Sequence, residues 1–104
     1  MADATLIDPL GRAIVLYDSA WYGHILKGHP EVRQARRRVE RAIRAPLEIR
    51  LSHSDPDCRL YYGLGPHAGL LIQVVADVAL GVVKTAHFAK KITGGTVEWS
   101  SQKP

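Results

Sequence analysis

The sequence predicts an α+β domain in which an N-terminal strand and two helices pack on one face of an antiparallel sheet of four or five strands. Three observations carry this expectation. The hydrophobic period is helical up to Arg44 and changes to two from Leu47 onward. Turn chemistry, "SDPD" at 54–57 and "GPHAG" at 65–69, divides the second half into hairpin-linked segments. A chain of 104 residues with an apolar fraction of 46% is the size of one small domain around one core. Runs of helices followed by hairpin-linked strands fold as α+β because the apolar face of the sheet must be covered. The single domain spans 1–104, with an ordered core over about residues 10–99 and ragged ends at 1–8 and 100–104.

Each element has its own signal. "RAIVLY" at 12–17 reads as an early strand. Asp18 or Ser19 can cap a short helix in which Trp21 and Ile25, and Tyr22 and Leu26, pair at four-residue spacing. His24 borders its apolar face. Gly28 is a natural stop, and Pro30 forces His29 out of helical geometry by crowding the residue before it. A second helix is expected over 30–45, with Pro30 in its first turn and Pro46 unable to continue it. Val32, Ala35, Val39, Ala42 and Ile43 form its packing stripe, and Arg33, Arg37, Arg41 and Arg44 gather on the far side.

The strands follow. "LEIRLS" at 47–52 alternates, and "CRLYYGL" at 58–64 sets Cys58, Leu60, Tyr62 and Leu64 on one face with Arg59 and Tyr61 on the other. Leu70–Val78 and Val82–Phe88 are strands joined near Gly81, and "TVEWS" at 96–100 is a last short strand. The open face of the sheet is then expected to carry Arg59 and Tyr61 with Thr85 and His87. Lys84 should point away from Thr85, since side chains alternate along a strand.

Composition narrows the function classes. Cys58 is the one cysteine, so no internal disulfide forms, and no signal-type apolar stretch follows Met1. A cytoplasmic home is expected, either in the producing cell or in a target cell. The longest apolar run, Leu70–Leu80, is interrupted by Gln73 and Asp77 and is too short to cross a bilayer, so no membrane association is expected. The formal charge of +4 and pI near 9.5 favour an anionic partner such as nucleic acid. The charge is concentrated: six of the nine arginines lie between residues 33 and 44. Such a face either contacts phosphates or is a solvated surface that keeps a small protein soluble.

His24 and His29 are about 140° apart when projected on one helix, so they do not form a metal-chelating pair. His53, His67 and His87 have no cysteine at ligand spacing. No metal and no cofactor are expected.

Several stretches, taken in order, match a known pattern: "HILKGHPEV" at 24–32, "AIRAPLEIRLS" at 42–52, "LYYG" at 60–63, an apolar strand, "VVKTAHFAKKITGG" at 82–95, and a closing tryptophan, Trp99. Together they resemble the phage and polymorphic-toxin nucleases grouped as Barnase-EndoU-Colicin-RelE-like, over about residues 10–99. The resemblance implies a RelE/barnase-like fold and a metal-independent ribonuclease, with His24 and Thr85 in the active site. It also admits an antitoxin or immunity protein as an acidic partner for the basic surface. The sequence departs from the pattern at His87, where an aromatic such as tyrosine is expected, and at Gly28, where a basic residue is expected.

The chemistry can be assembled from the residues. Cleaving RNA without a metal needs a base for the 2′-hydroxyl proton, an acid for the leaving 5′-oxygen, and donors for the charge developing on the phosphate. His24 and His29 supply acid and base candidates, Arg59 a phosphate fork, Thr85 a hydroxyl donor and Tyr61 a stacking surface. Arg33, Arg37, Arg41, Arg44 and Lys90 are the candidate RNA contacts. Each residue also has a structural alternative: His24 bonding a backbone carbonyl, His29 fixing the helix-helix turn, Thr85 as a strand former, Tyr61 as a half-buried aromatic. The rival from another class is a non-catalytic module that binds RNA or protein through the arginine face.

Overall fold

The computed structural model describes residues 2–102, and it is α+β; Met1, Lys103 and Pro104 lie outside the described residues. The first strand, β1 (Ala4–Ile7), falls in a segment expected to be ragged. It pairs antiparallel with β2 (Ala13–Leu16), which occupies the predicted early strand. Their turn is built by Asp8, whose Oδ1 accepts from the backbone N–H groups of Leu10 and Arg12, with Gly11 in the left-handed region at φ 84°. Only four residues alternate in β1, too few to register as a strand without the partner they pair with.

The first helical segment begins at Asp18 with Tyr17 as its N-cap, so neither Asp18 nor Ser19 is the cap expected of them, and it runs through Asp18–Ala20, a π-helical stretch Trp21–Ile25, and Leu26–Gly28. It ends before His29, which Pro30 holds at φ −137°. The helix expected over 30–45 is divided. Pro30–Val32 is a 3₁₀ turn, and the α-helix proper is Arg36–Arg44. Tertiary pairing overrides the local periodicity here. Arg36 is 4% exposed; it donates to Asp18 Oδ1 at 2.7 Å and to the Ala2 carbonyl at 2.7 Å, and its guanidinium lies 5.6 Å from the Trp21 ring. It thus ties the start of the second helix to the start of the first.

The remaining strands are β3 (Glu48–Leu51), β4 (Cys58–Leu64), β5 (Leu71–Asp77), β6 (Val82–Ala89) and β7 (Val97–Ser100). The sheet has seven strands in the order β1-β2-β6-β5-β4-β3-β7, not four or five, and it is mixed, because β2 runs parallel to β6 where Val15 meets Val82. The other pairings are antiparallel. Beyond Val82, among the described residues, that edge of β6 is flanked by the first helical segment and the 3₁₀ turn.

Register defines the two faces. Ile49, Tyr61, Val74 and Ala86 lie in one cross-strand row and are all buried in the core with Trp21, Ile25, Val39 and Ile43. Full burial of the aliphatic side chains among these, such as Ile49, Val74, Ile25 and Ile43, stabilises by roughly 1.5–3 kcal/mol each. The Arg36–Arg44 helix lies against β4 and β5, so close that a Cβ on Gly63 would stand 2.9 Å from the Ala42 Cβ.

The sheet curls until its ends meet. Arg12, at the entry to β2, donates to both carboxylate oxygens of Glu98 on β7, at 2.7 and 3.2 Å, and its Nε donates to Asp8 at 2.7 Å. Arg59 joins from β4 by donating to Glu98 at 2.9 Å, and the Tyr61 hydroxyl donates to Asp8 at 2.6 Å. Burial disfavours the ionised Asp8 and Glu98, but hydrogen bonds from Tyr61 and Arg12 to Asp8, and from Arg12 and Arg59 to Glu98, outweigh it and hold both carboxyls below their usual range.

Candidate functional site

The face opposite the core carries two rows. Arg50, Leu60, Val75 and Thr85 form one; Glu48, Tyr62, Gln73 and His87 form the next. Thr85 and His87 are therefore two residues apart on the same face of β6. Because Trp21 and Ile25 bury into the core while the helix rides along the free edge of β6, the helix can present His24 to this second face. His24 lines a cleft of about 450 Å³ with Ser52, Ser54, Asp55, Cys58, Val75, Lys84 and Thr85.

Lys84 reaches this cleft through a β-bulge. Val75 pairs with Thr85 and Ala76 with Val83, which leaves Lys84 as the extra residue. Strict alternation would have separated Lys84 from Thr85, and the bulge is what cancels it. The exposed ammonium of Lys84 and the half-buried hydroxyl of Thr85 then line the same cleft.

Next along β6, the His29 and His87 rings stack with centroids 5.2 Å apart and planes at 30°. His29 Nδ1 lies 3.1 Å from a Glu31 carboxylate oxygen. Glu31 is held below the usual carboxylate range by its own backbone N–H and by His29. Burial, and then the adjacent His29, lower the His87 pKa, with Glu31 acting in the opposite sense, so His87 favours the neutral form. On the cleft wall, burial and the nearby Asp55 push the Cys58 thiol up, which keeps it protonated and unsuited to nucleophilic attack.

Of the residues singled out from the sequence, His24 and Thr85 share the cleft, and His29 lies against His87 beside it. Arg59 and Tyr61 do not join them. Their phase in β4 is the reverse of the one expected: Tyr61 is 0% exposed in the core, and Arg59 is engaged by Glu98 and by the Pro56 and Cys58 carbonyls. Adjacent tyrosines give the alternation no preference, and Gly63, which must face Ala42, decides it. Tyr62 takes the other side, where its hydroxyl donates to the Thr93 carbonyl and accepts from Gln73.

The arginine stripe is split by the break before Arg36. Arg37, Arg41 and Arg44 line a hollow of about 490 Å³ with Glu40 and Ala45 on the outer side of the helix. Arg33 belongs instead to a hollow beside the first helical segment, with Tyr22, Leu26 and Lys27. Lys90 is exposed just past the end of β6. The place of Lys84 in the cleft, the contact of Glu31 with His29 and the stacking of His29 on His87 were not recovered from the sequence; the one visible signal was "HP", which fixes His29 where it can stack.

No protein family, curated protein or solved structure matches the chain. Among the described residues, no helix is long and apolar enough to cross a membrane.

Proposed function

We propose that this protein is an endoribonuclease of the Barnase-EndoU-Colicin-RelE-like type, with a fold related to RelE and barnase, cleaving RNA by attack of the 2′-hydroxyl without a metal. One observation carries the proposal: His24, Lys84 and Thr85 line a single cleft, with the stacked His29 and His87 two residues further along β6. This grouping supplies a candidate for each of acid, base, cation and hydroxyl donor, whereas the arginine-binding alternative accounts for charge alone.

In this scheme His87, kept neutral by burial and by His29, accepts the 2′-hydroxyl proton, and the exposed His24 donates a proton to the leaving 5′-oxygen. The 2′-oxygen bonds to phosphorus as the bond to the 5′-oxygen breaks, giving a 2′,3′-cyclic phosphate. Lys84 and Thr85 stabilise the charge on the phosphoryl oxygens. His29, fixed by Glu31, is a positioning residue for the His87 ring.

Incubation of the purified protein with RNA in EDTA should yield short products ending in 2′,3′-cyclic or 3′-phosphate. Equal cleavage of a 2′-deoxy substrate, or dependence on added divalent metal, would refute the scheme. The exposed Arg37, Arg41 and Arg44 favour a second reading, a module that binds RNA or an acidic antitoxin without cleaving. It predicts RNA binding whose log affinity falls against log salt with a slope of about −0.7 per phosphate contact for single strands, in the absence of any cleavage.

A further inference from the structure

The first helical segment has a second equipped flank. Tyr22 and His24 are two residues apart in the π-helical stretch, hence on broadly opposite sides of its axis, and Tyr22 is absent from the lining of the cleft. Four residues on from Tyr22, Leu26 lies beside it. These two, with Lys27 and Arg33, line a separate hollow of about 360 Å³. Tyr22 is 53% exposed. Lys27 and Arg33 are both exposed, and neither forms an ion pair among the described residues. Lys27 follows His24 by three residues in the same helical segment, so that one segment contributes to both the hollow and the cleft.

An exposed aromatic ring, an aliphatic neighbour and two cations without an ion-pair partner among the described residues are the parts that hold one nucleotide of a single strand: the base stacks and the phosphate is paired. An acidic peptide would use the cations but leave the ring idle. A duplex has no free base face to offer the ring. We propose that this hollow is a second nucleotide subsite, holding a base of single-stranded RNA that flanks the phosphate in the His24 cleft, stacked on Tyr22 with its phosphate between Lys27 and Arg33. The identity of the strand rests on the ribonuclease reading; the subsite itself does not require cleavage.

Binding is therefore measured apart from cutting, by fluorescence anisotropy of a labelled hexaribonucleotide whose 2′-hydroxyls are all methylated. Tyr22→Ala should weaken binding about tenfold, and Tyr22→Phe should keep it within about twofold, in line with base-aromatic stacking. Lys27→Gln and Arg33→Gln should each lower the salt slope by about 0.7. Parent-like affinity in Tyr22→Ala would overturn the subsite, as would equal competition by a duplex of the same sequence or by polyglutamate. Binding that depends on Tyr22 in a protein that cuts no RNA would uphold the subsite and remove the ribonuclease reading. Cleavage by the parent with unchanged affinity in Tyr22→Ala would do the reverse.

Discussion

His24 stands exposed on a helix whose neighbouring side chains, Trp21 and Ile25, do the packing, so its removal separates chemistry from stability. His24→Ala is expected to lower RNA cleavage by about 10²-fold or more, the usual scale for loss of a general acid or base, with little change in melting temperature. Thr85→Ala should lose less, since proton transfer remains in place. Parent-rate cleavage by His24→Ala would remove this residue from the chemistry. His87 carries a different signature. Burial and His29 hold its pKa down, so the folded protein binds that proton less readily than the unfolded chain, whose histidines titrate near about 6.5. Its contribution to stability is full above that pH, falls as pH drops through it, and levels off once the folded protein also takes the proton. Melting temperatures measured from pH 8 to 5 should therefore decline less steeply in His87→Gln than in the parent, and parallel curves would refute the assignment. Asp8 and Glu98 act in a more acid window, because carboxyls held low lose their contribution only as pH falls through their folded values.

Among the elements, β4 and the Arg36–Arg44 helix show how closely the layers meet. Gly63→Ala is expected to destabilise by about 1–3 kcal/mol, because its Cβ would stand 3.2 Å from the Ala42 Cα as well as 2.9 Å from its Cβ, and helix backbone cannot swing aside. Denaturant titration would measure this, and an unchanged midpoint would sink it. The strands from Leu47 onward were legible in the sequence because alternation and turn residues are local signals, and so was the stop of the first helical segment at Gly28, though its N-cap, Tyr17, was not. The break before Arg36 was not, since it serves contacts with Asp18 and Ala2 that no window of sequence contains. The candidate site divides the same way. His24 and Thr85 were recognisable from residue chemistry and the family resemblance. Lys84 was assigned to the wrong face because one extra residue inverts alternation, and the pairing of His29 with His87 exists only because the helix lies along the edge of β6.

At the scale of the molecule, the cleft opens on one face of the sheet and the Arg36–Arg44 helix covers the other, so Arg37, Arg41 and Arg44 are separated from Thr85 by the sheet itself. On the proposed ribonuclease reading, those arginines are left to a partner or a distant stretch of a long RNA, and the cation available beside Thr85 is Lys84. The clasp between Arg12 and Glu98 also orders events in time. It joins residues 86 apart in the chain, whereas β3 to β6 form a run of antiparallel neighbours whose contacts are near in sequence. Loop-closure entropy makes the near pairings form early and the distant one late. An interaction absent from the folding transition state leaves the refolding rate alone and acts on unfolding. Glu98→Gln should accordingly steepen the loss of native protein several-fold in stopped-flow unfolding while refolding proceeds at the parent rate; a slowed refolding limb would show that the ring closes first. The last bond to form would then be the first to open, and the lifetime of the folded chain would be set at the seam between Arg12 and Glu98.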